Sequence, residues 1–312
     1  MWRPALVTHL SQHTPTRNLP MSIRTLTTTI LAATLFLPAA VVAQDEEPVR
    51  TLFTNVMVWD GLADGLASAD VLVEDNMIVG VGSGLSSSGA TVVDGGGRTL
   101  MPGLIDMHAH MCIYNGLPFF RDPYDAQTVG AYTHKTGLDY LQQGFTTTRS
   151  AGCNDLGIAK AINNGVLDGP RWFPAGGFLS QTGGHADLGV WSDAPGEQDP
   201  LERAEMMYIV DGKTEARRAA RSNFRHGATH IKIMGGGGVS SEFDPLHTTQ
   251  FSVEEIETIV AVAEDYGTYV TVHAYHDRSI NRAIDAGVRM IEHGFLMSEE
   301  TMDRMVAEGI VL

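Results

Sequence analysis

The sequence predicts an α/β protein with a parallel sheet, and the placement of its polar residues favours a closed (β/α) barrel. The first observation is that short β-rich runs alternate with amphipathic helical patterns after residue 100. The second is that histidines stand at the carboxyl ends of several separate runs, where barrel enzymes carry their catalytic groups. An open doubly wound sheet fits the alternation equally well, so the second observation decides between the two architectures.

The composition and net charge exclude some classes of binding partner. The chain has 312 residues, of which 43% are hydrophobic and 19% charged, as in ordinary globular proteins. Its formal net charge is −16, which argues against nucleic acid or an anionic membrane surface as a partner, because both would repel it. A homo-oligomer is compatible with this composition.

Residues 1–43 are predicted to form an export signal. From Met21, a basic residue (Arg24) precedes an apolar stretch that begins at Ile30 and is shorter than the roughly 20 residues of a membrane span. We expect the true start at Met21 or Met1, cleavage near Gln44 and a periplasmic or secreted mature protein without a membrane span. An uncleaved anchor is the alternative.

Residues 44–100 are predicted to be the N-terminal part of a β-domain that is incomplete on its own. The segment contains three runs rich in Val, Ile, Leu and Thr, namely TLFTNVMVWDG, ADVLVEDNMIVGVGS and ATVVDGGGRTL. Asp-Gly, Asp-Asn and Gly-rich turns separate these runs, which is typical of short antiparallel strands.

Residues 101–312 are predicted to be the barrel. The clearest helix is expected from Ser252 to Gly267, because Ser252 and Glu255 form a capping box and Gly267 can end a helix. Its expected apolar face consists of Val253, Ile256, Ile259, Val260 and Ala263. Further helices are expected at 277–287 and 298–309, and strands are expected at 144–152, 171–177, 229–238, 268–275 and 288–294.

Four histidines and one lysine are expected to meet at one end of the barrel. In PGLIDMHAH, His108 and His110 are two residues apart, so an extended strand directs both side chains to one face. Lys232 lies in HIKIM, His273 ends YVTVHAY and His293 ends RMIEHG. Neutral imidazoles suit a borderline metal such as zinc, and surface histidines are the alternative for the first pair.

Lys232 is the most informative of the five. An unpaired ammonium in the apolar run IKIM is costly if buried, so the side chain should be either exposed, paired or depressed in pKa. A lysine of depressed pKa is a nucleophile, and reaction with carbon dioxide would give a carbamate whose two oxygens can bridge two metals. Beside four strand-end histidines, we favour the carbamate.

With these motifs, the chain resembles the amidohydrolase superfamily, in the branch of imidazolonepropionase-like proteins and Xaa-Pro dipeptidases. The resemblance runs from about residue 49 to the end and depends on GRTLMPGLIDMHAH, HIKIMGGGGVSS, VTVHAY and MIEHG. It implies a (β/α)8 TIM-type barrel with a small N-terminal β-sandwich portion, and two divalent metal ions, with zinc expected. It also implies ligand roles for His108, His110, Lys232 as the bridging carbamate, His273 and His293.

The resemblance also implies an aspartate at the end of strand 8 as the proton acceptor, and the chain stops at EGIVL, near the start of strand 7. We therefore expect a barrel truncated after about strand 6 or 7, and a fragment that is inactive or nearly inactive alone.

For the complete enzyme, we expect hydrolysis of an amide C–N bond in a dipeptide or an N-acyl amino acid. The segment 176–212 is predicted to be a long loop covering the substrate, since loops of 2–6 residues are usual at such a position. His185 is expected to contact the substrate carbonyl, and Tyr275 and His276 a substrate carboxylate. Two alternatives stay open: a mononuclear imidazolonepropionase- or deaminase-type hydrolase of a cyclic C–N bond, and a non-catalytic binding barrel.

Two smaller features complete the predictions. The run GGGG at 235–238 lacks the ending of a phosphate-binding loop, so we expect a flexible loop whose backbone approaches the substrate closely. Cys112 and Cys153 are both expected just past adjacent strand ends; export would permit a disulfide, but free thiols are the favoured state.

Overall fold

A computed structural model of the protein describes residues 47–114, 125–194 and 196–312. The predicted export signal at 1–43 lies outside the described residues, so it stays a prediction. Within the described ranges, no helix has both the length and the apolar character needed to cross a membrane.

The N-terminal part folds into one mixed β-sheet. Its strands are β1 (Arg50–Val58), β2 (Ala67–Glu74), β3 (Met77–Gly82), β4 (Ala90–Asp94) and β5 (Thr99–Leu100). The order is β3-β2-β1-β4, and β5 also pairs with β1. The run ADVLVEDNMIVGVGS forms the antiparallel β2–β3 hairpin, whose turn places Asp75 at a φ of 51°. Because the described residues here form a single layer, the predicted β-sandwich stays a prediction.

The remaining chain alternates strands and helices. The strands are β6 (Leu104–Ala109), β7 (Phe145–Ser150), β8 (Arg171–Pro174), β9 (Phe178–Ser180), β10 (Met207–Ile209), β11 (Ile231–Met234), β12 (Val270–His276) and β13 (Met290–Leu296). The helices are α1 (Ala126–Gln142), α2 (Leu156–Asn163), α3 (Pro200–Arg203), α4 (Lys213–Arg225), α5 (Val253–Asp265), α6 (Asp277–Asp285) and α7 (Glu299–Glu308).

The strands of this part are all parallel and form two adjoining sheets. One has the order β6-β7-β8 and the other β10-β9-β11-β12-β13. The sheets adjoin because β8 and β9 are three residues apart and the amide of Thr229, before β11, donates to the carbonyl of Pro174 at 2.7 Å. The carboxyl ends of all these strands consequently lie on one side. Among the described residues, no backbone pairing joins β13 to β6, so closure of a barrel is not shown.

Helix α5 shows how local sequence sets an element. The Ser252 hydroxyl accepts from the amide of Glu255, and the Glu255 carboxylate accepts from the amide of Ser252, so the predicted capping box is confirmed. Ile256 and Ile259 are fully buried, and each contributes about 1.5–3 kcal/mol relative to exposure. Val253 was wrongly assigned to the apolar face: it lies in the first turn and is exposed.

The prediction that segment 176–212 is one long loop was wrong. It contains β9, α3 and β10. Helix α3 begins because Asp199 and Glu202 form a capping box behind Pro200, which is well suited to the first helical position. The sequence expectation failed here because three-residue strands are too short to give a periodic pattern.

Candidate active site

The structure brings the five predicted side chains together on β6, β11, β12 and β13, with His110 directly after β6. The predicted strand-end positions of His273 and His293 were wrong, because each is the fourth residue of a seven-residue strand. The ring centroids of His108 and His293 are 4.7 Å apart, and those of His273 and His293 are also 4.7 Å apart. His110 lies beside His108 at 5.0 Å. Lys232 lines the same cavity as His110, His273 and His293. Residues 185 positions apart in sequence therefore share one small volume.

The first histidine pair has its ring orientations fixed by hydrogen bonds. His110 Nδ1 donates to the carbonyl of Gly152 at 3.1 Å, and His108 Nδ1 lies 2.5 Å from Glu292 Oε2. The two Nε2 atoms consequently face one another at 3.2 Å. Burial, followed by the nearby charges of Lys232 and His108, lowers the pKa of His110 to about 3, so its Nε2 carries a lone pair at neutral pH.

This donor set fits a divalent metal. Within the described ranges, no group of three or more His, Cys, Asp or Glu side chains is arranged to hold a metal ion as it stands. The Nε2 atoms of His108 and His110 face one another, and without a cation their lone pairs either share one proton or repel one another. A cation between them would bind both lone pairs. Neutral imidazole is a preferred zinc ligand. The fit comes from these nitrogen atoms together with a buried lysine, Lys232, whose amine has no carboxylate within salt-bridge distance in the part of the chain that the structure describes.

Lys232 is buried, and does not extend to solvent. Among the described side chains, no carboxylate lies within salt-bridge distance of its amine. Burial lowers the pKa of Lys232 to about 8, the attraction of Glu292 opposes this, and Arg149 adds to it. A large fraction of the amine is therefore neutral near pH 8, which is the form that attacks carbon dioxide.

His273 and His293 are held by different means. His273 Nε2 donates to the carbonyl of Gly237 at 3.1 Å, which leaves the lone pair on Nδ1. Burial, His185 and Lys232 keep the pKa of His273 far below its usual value. Burial and Lys232 lower the pKa of His293 to about 4. His293 also has a φ of 77°, a conformation that costs a non-glycine residue about 1–3 kcal/mol and is common at functional sites.

Glu292 and Arg149 are parts of the site that the sequence reasoning missed. Both side chains are buried, and Glu292 Oε1 accepts from Arg149 Nη2 at 2.5 Å and from the hydroxyl of Thr271. Burial alone would raise the pKa of Glu292, but His108, Lys232, Thr271 and Arg149 together hold it far below the usual range. Strand alternation predicts that Glu292 and His293 face opposite ways. The left-handed φ of His293 breaks that alternation, so both side chains face the cluster.

His185 reaches the site from the segment after β9. Its ring stacks on that of His273 with centroids 4.0 Å apart. Its Nδ1 lies 2.9 Å from the Asp244 carboxylate and 2.7 Å from the Ser241 hydroxyl. A Cβ placed on Gly238 would lie only 1.7 Å from His185 Cε1. The glycine run therefore does permit close approach, but at Gly238 the approached group is His185.

Tyr275 and His276 differ in their relation to the site. Tyr275 lines the cavity and stacks on His293 with ring centroids 5.3 Å apart. His276 is not among the residues that line it; its Nε2 donates to the carbonyl of Thr248 at 3.2 Å. The substrate contact predicted for His276 therefore has no supporting geometry, and the contact predicted for Tyr275 does.

The cavity in front of the cluster has a volume of about 420 Å³. Its walls combine the cluster with apolar side chains and a polar rim. The apolar lining consists of Ile113, Phe178, Ala186, Leu188, Met207, Met234, Val239 and Phe243. This is enough space for a molecule of dipeptide size, with its apolar part against these walls.

Cys112 and Cys153 form a disulfide, so the expectation of free thiols was wrong. Strands β6 and β7 pair in parallel, and the two cysteines follow their carboxyl ends with Cα atoms 6.1 Å apart, within the range that a disulfide spans. The bond joins the first two strand-end loops beside His110.

Several known proteins share this fold and part of this sequence. The chain is 32% identical to ochratoxinase of Aspergillus niger over 302 residues, which covers 88% of this chain and 60% of that protein. A solved prolidase complexed with N-methylphosphonate-L-proline superposes with a TM-score of 0.77 at 36% identity, over 84% of this chain and 65% of that one. A solved Xaa-Pro dipeptidase with bound methionine in the active site gives 0.73 at 32% identity, over 84% and 66%.

The chain thus spans roughly three fifths to two thirds of the length of these relatives. The sequence model of the amidohydrolase family matches residues 99–312, which includes every member of the cluster. The chain therefore belongs to the amidohydrolase family.

Proposed function

We propose that the whole protein is a metal-dependent amidohydrolase that cleaves the amide C–N bond of a dipeptide or an N-acyl amino acid. The observation that carries the proposal is the convergence of five side chains: His110, Lys232, His273 and His293 line one cavity. The His108 ring lies behind it, 5.0 Å from that of His110 and 4.7 Å from that of His293. Solved relatives with the same fold are named as a prolidase and an Xaa-Pro dipeptidase, which supports a short peptide as substrate.

The residues divide into a metal-binding set and a substrate-binding set. The five side chains of the cluster would hold two divalent ions, zinc being the expected one, with Lys232 as a bridging carbamate. When bound, such ions lower the pKa of a bound water toward about 7 and polarise the substrate carbonyl. Neutral His110, His273 and His293 suit this role because a protonated imidazole cannot bind a metal.

The substrate-binding set lies around the cluster. His185, fixed by Asp244 and stacked on His273, is placed to contact the substrate carbonyl. The Tyr275 hydroxyl is the candidate donor to a substrate carboxylate. The apolar walls, including Phe178 and Met207, would hold the substrate side chain and exclude water.

We also propose the finer architecture and location that the resemblance implies. The parallel strands would close into a (β/α)8 barrel, and the N-terminal sheet would form part of a β-sandwich. The remaining third of the relatives' length would supply the closing strands and the proton-accepting aspartate of strand 8. The disulfide between Cys112 and Cys153 supports a periplasmic or secreted location, since disulfides persist in oxidising compartments.

The test is a substrate panel assayed on the protein extended through its downstream reading frame. We expect hydrolysis of linear dipeptides or N-acyl amino acids, and a loss of well over a hundredfold in kcat/KM for His273→Ala, since even changes behind a metal ligand cost about 10- to 100-fold. His134→Ala is the control, because His134 contacts the carbonyl of Asp168 and does not line the cavity. Normal turnover by His273→Ala, or turnover of cyclic substrates alone, would contradict the proposal.

A further inference from the structure

Within the pair His108 and His110, His108 has a charged partner, the carboxylate of Glu292. Glu292 Oε2 lies 2.5 Å from His108 Nδ1, and its side chain is 6% exposed. The equivalent nitrogen of His110 donates to a neutral acceptor, the carbonyl of Gly152, at the longer distance of 3.1 Å. The two histidines are therefore oriented by partners of different strength, and the stronger partner is a side chain that can be changed by mutation.

The contact also joins two strands that are far apart in the order of the sheets. His108 lies on β6 and Glu292 on β13, at the two ends of the described row of parallel strands. No backbone hydrogen bond joins these strands among the described residues. The imidazole–carboxylate bond is therefore a direct link between the part of the site on β6 and the part on β12 and β13.

Glu292 is itself fixed from two further sides. Its Oε1 accepts from Arg149 Nη2 on β7 and from the Thr271 hydroxyl on β12. Arg149 is buried, and its Nε and Nη1 atoms have no hydrogen-bond partner in the described part of the chain. Glu292 is thus the ionic partner of the Arg149 guanidinium. The contacts with Arg149 and Thr271 together hold the Glu292 carboxylate in one orientation.

We propose that Glu292 is a positioning residue that keeps the ring proton of His108 on Nδ1 and so presents the Nε2 lone pair to the metal site. A carboxylate behind a metal-binding histidine fixes the tautomer and ring orientation and strengthens the ligand. The facing of the His108 and His110 Nε2 atoms at 3.2 Å is the geometry that this bond produces. The inference rests on the proposed function for the metal, but assigns a role to a residue outside the five proposed ligands.

The first test is the tautomer of His108 in the metal-free wild-type protein, read from the ring nitrogen and carbon shifts by NMR at pH 8. The signals are assigned by their loss in His108→Gln. We expect the form with a proton on Nδ1 and none on Nε2. A proton on Nε2 would overturn the inference, and this experiment needs no variant of Glu292.

The second test is the affinity for Zn²⁺, measured by competition with a chelator. Glu292→Gln should weaken zinc binding by about 10- to 100-fold, and Glu292→Asp should fall between, because it keeps the charge but shortens the reach. Glu257→Gln, which changes an exposed residue of α5, is the control and should bind zinc as the wild type does. Wild-type zinc affinity in a folded Glu292→Gln protein, shown by circular dichroism, would overturn the inference.

These outcomes are separable from the fate of the proposed function. Neither the tautomer nor the zinc affinity depends on amide hydrolysis. If the extended protein hydrolyses no amide but Glu292→Gln loses zinc affinity, the role of Glu292 stands and the proposed function fails. If hydrolysis is found and Glu292→Gln binds zinc normally, the reverse holds.

Discussion

The strands that carry the cluster differ sharply in how they are covered. Strand β11 is buried along its whole length and β12 along most of it, and both pack between neighbouring strands and helices α4 to α6. Strand β6 carries His108 and directly precedes His110, yet Ile105 and Met107 on it are 59% and 50% exposed. The same site is therefore built on one side by packing and on the other by hydrogen bonds.

The difference shows which forces position each candidate ligand. Lys232 and His273 are surrounded by fully buried residues such as Ile233 and Val272, so their backbone cannot shift without disturbing the core. His108 and His110 depend instead on Glu292 and the carbonyl of Gly152. Substitutions around β11 and β12 should therefore change the stability of the protein. Substitutions around β6 should instead change the orientation of His108 and His110.

The largest expected effect on stability comes from a matched pair of substitutions, one on the buried strand β11 and one on the exposed strand β6. Ile233→Ala should lower the free energy of unfolding by about 2–5 kcal/mol, because it leaves a cavity in a closely packed core. Ile105→Ala should cost within about 0.5 kcal/mol, as expected of an exposed position. Denaturant unfolding of the same chain measures both values, and equal costs would contradict the contrast between β11 and β6.

The part of the chain that forms the β6-β7-β8 sheet also contains a buried carboxyl group. Asp155, before α2, accepts from the Trp172 indole at 3.0 Å. Burial raises the pKa of Asp155 to about 7, although Ser150 and Trp172 oppose this. The folded pKa exceeds the unfolded value of 3.8, so the unfolded chain ionises first as the pH rises. Stability should consequently fall between about pH 4 and pH 7 and level off above that range.

Asp155→Asn should remove this pH dependence. Its stability relative to the wild type should rise by at most about 4 kcal/mol between pH 4 and pH 8, since each pKa unit corresponds to about 1.4 kcal/mol. Unfolding by urea at several pH values measures the difference. A constant difference across that range would mean that Asp155 does not titrate in the folded protein as described.

The smallest expected effect tests the contact behind His185. Gly238→Ala should destabilise the protein by about 1–3 kcal/mol, as overpacking does, and should lower activity by displacing the His185 ring. Gly157→Ala is the control, because a Cβ there meets nothing within 4 Å and lies in helix α2; it should be neutral or stabilising by up to about 1 kcal/mol. Thermal unfolding compares the two, and a Gly238→Ala protein as stable as Gly157→Ala would exclude the close contact.

The sequence predicted the parts of this structure that depend on local or repeating patterns. The capping box of Ser252 and Glu255 and the strands that carry Lys232, His273 and His293 follow from spacing and composition, although His273 and His293 lie in the middle of their strands rather than at the ends. Glu292 could not be predicted to face the cluster, because the left-handed φ of His293 interrupts the alternation of the strand. The contact of His185 with Asp244 joins two irregular segments 59 residues apart, for which no periodic rule exists.

The claim that the five side chains hold a pair of metal ions is tested most directly by the metal content of the protein. The purified chain would be loaded with Zn²⁺ in the presence of bicarbonate and weighed intact by native mass spectrometry, beside Lys232→Ala. We expect two zinc ions and a carboxylated lysine in the wild type, and loss of both the carboxyl group and at least one zinc ion in Lys232→Ala. A single zinc ion in the wild type, or an unchanged zinc content in Lys232→Ala, would contradict the claim.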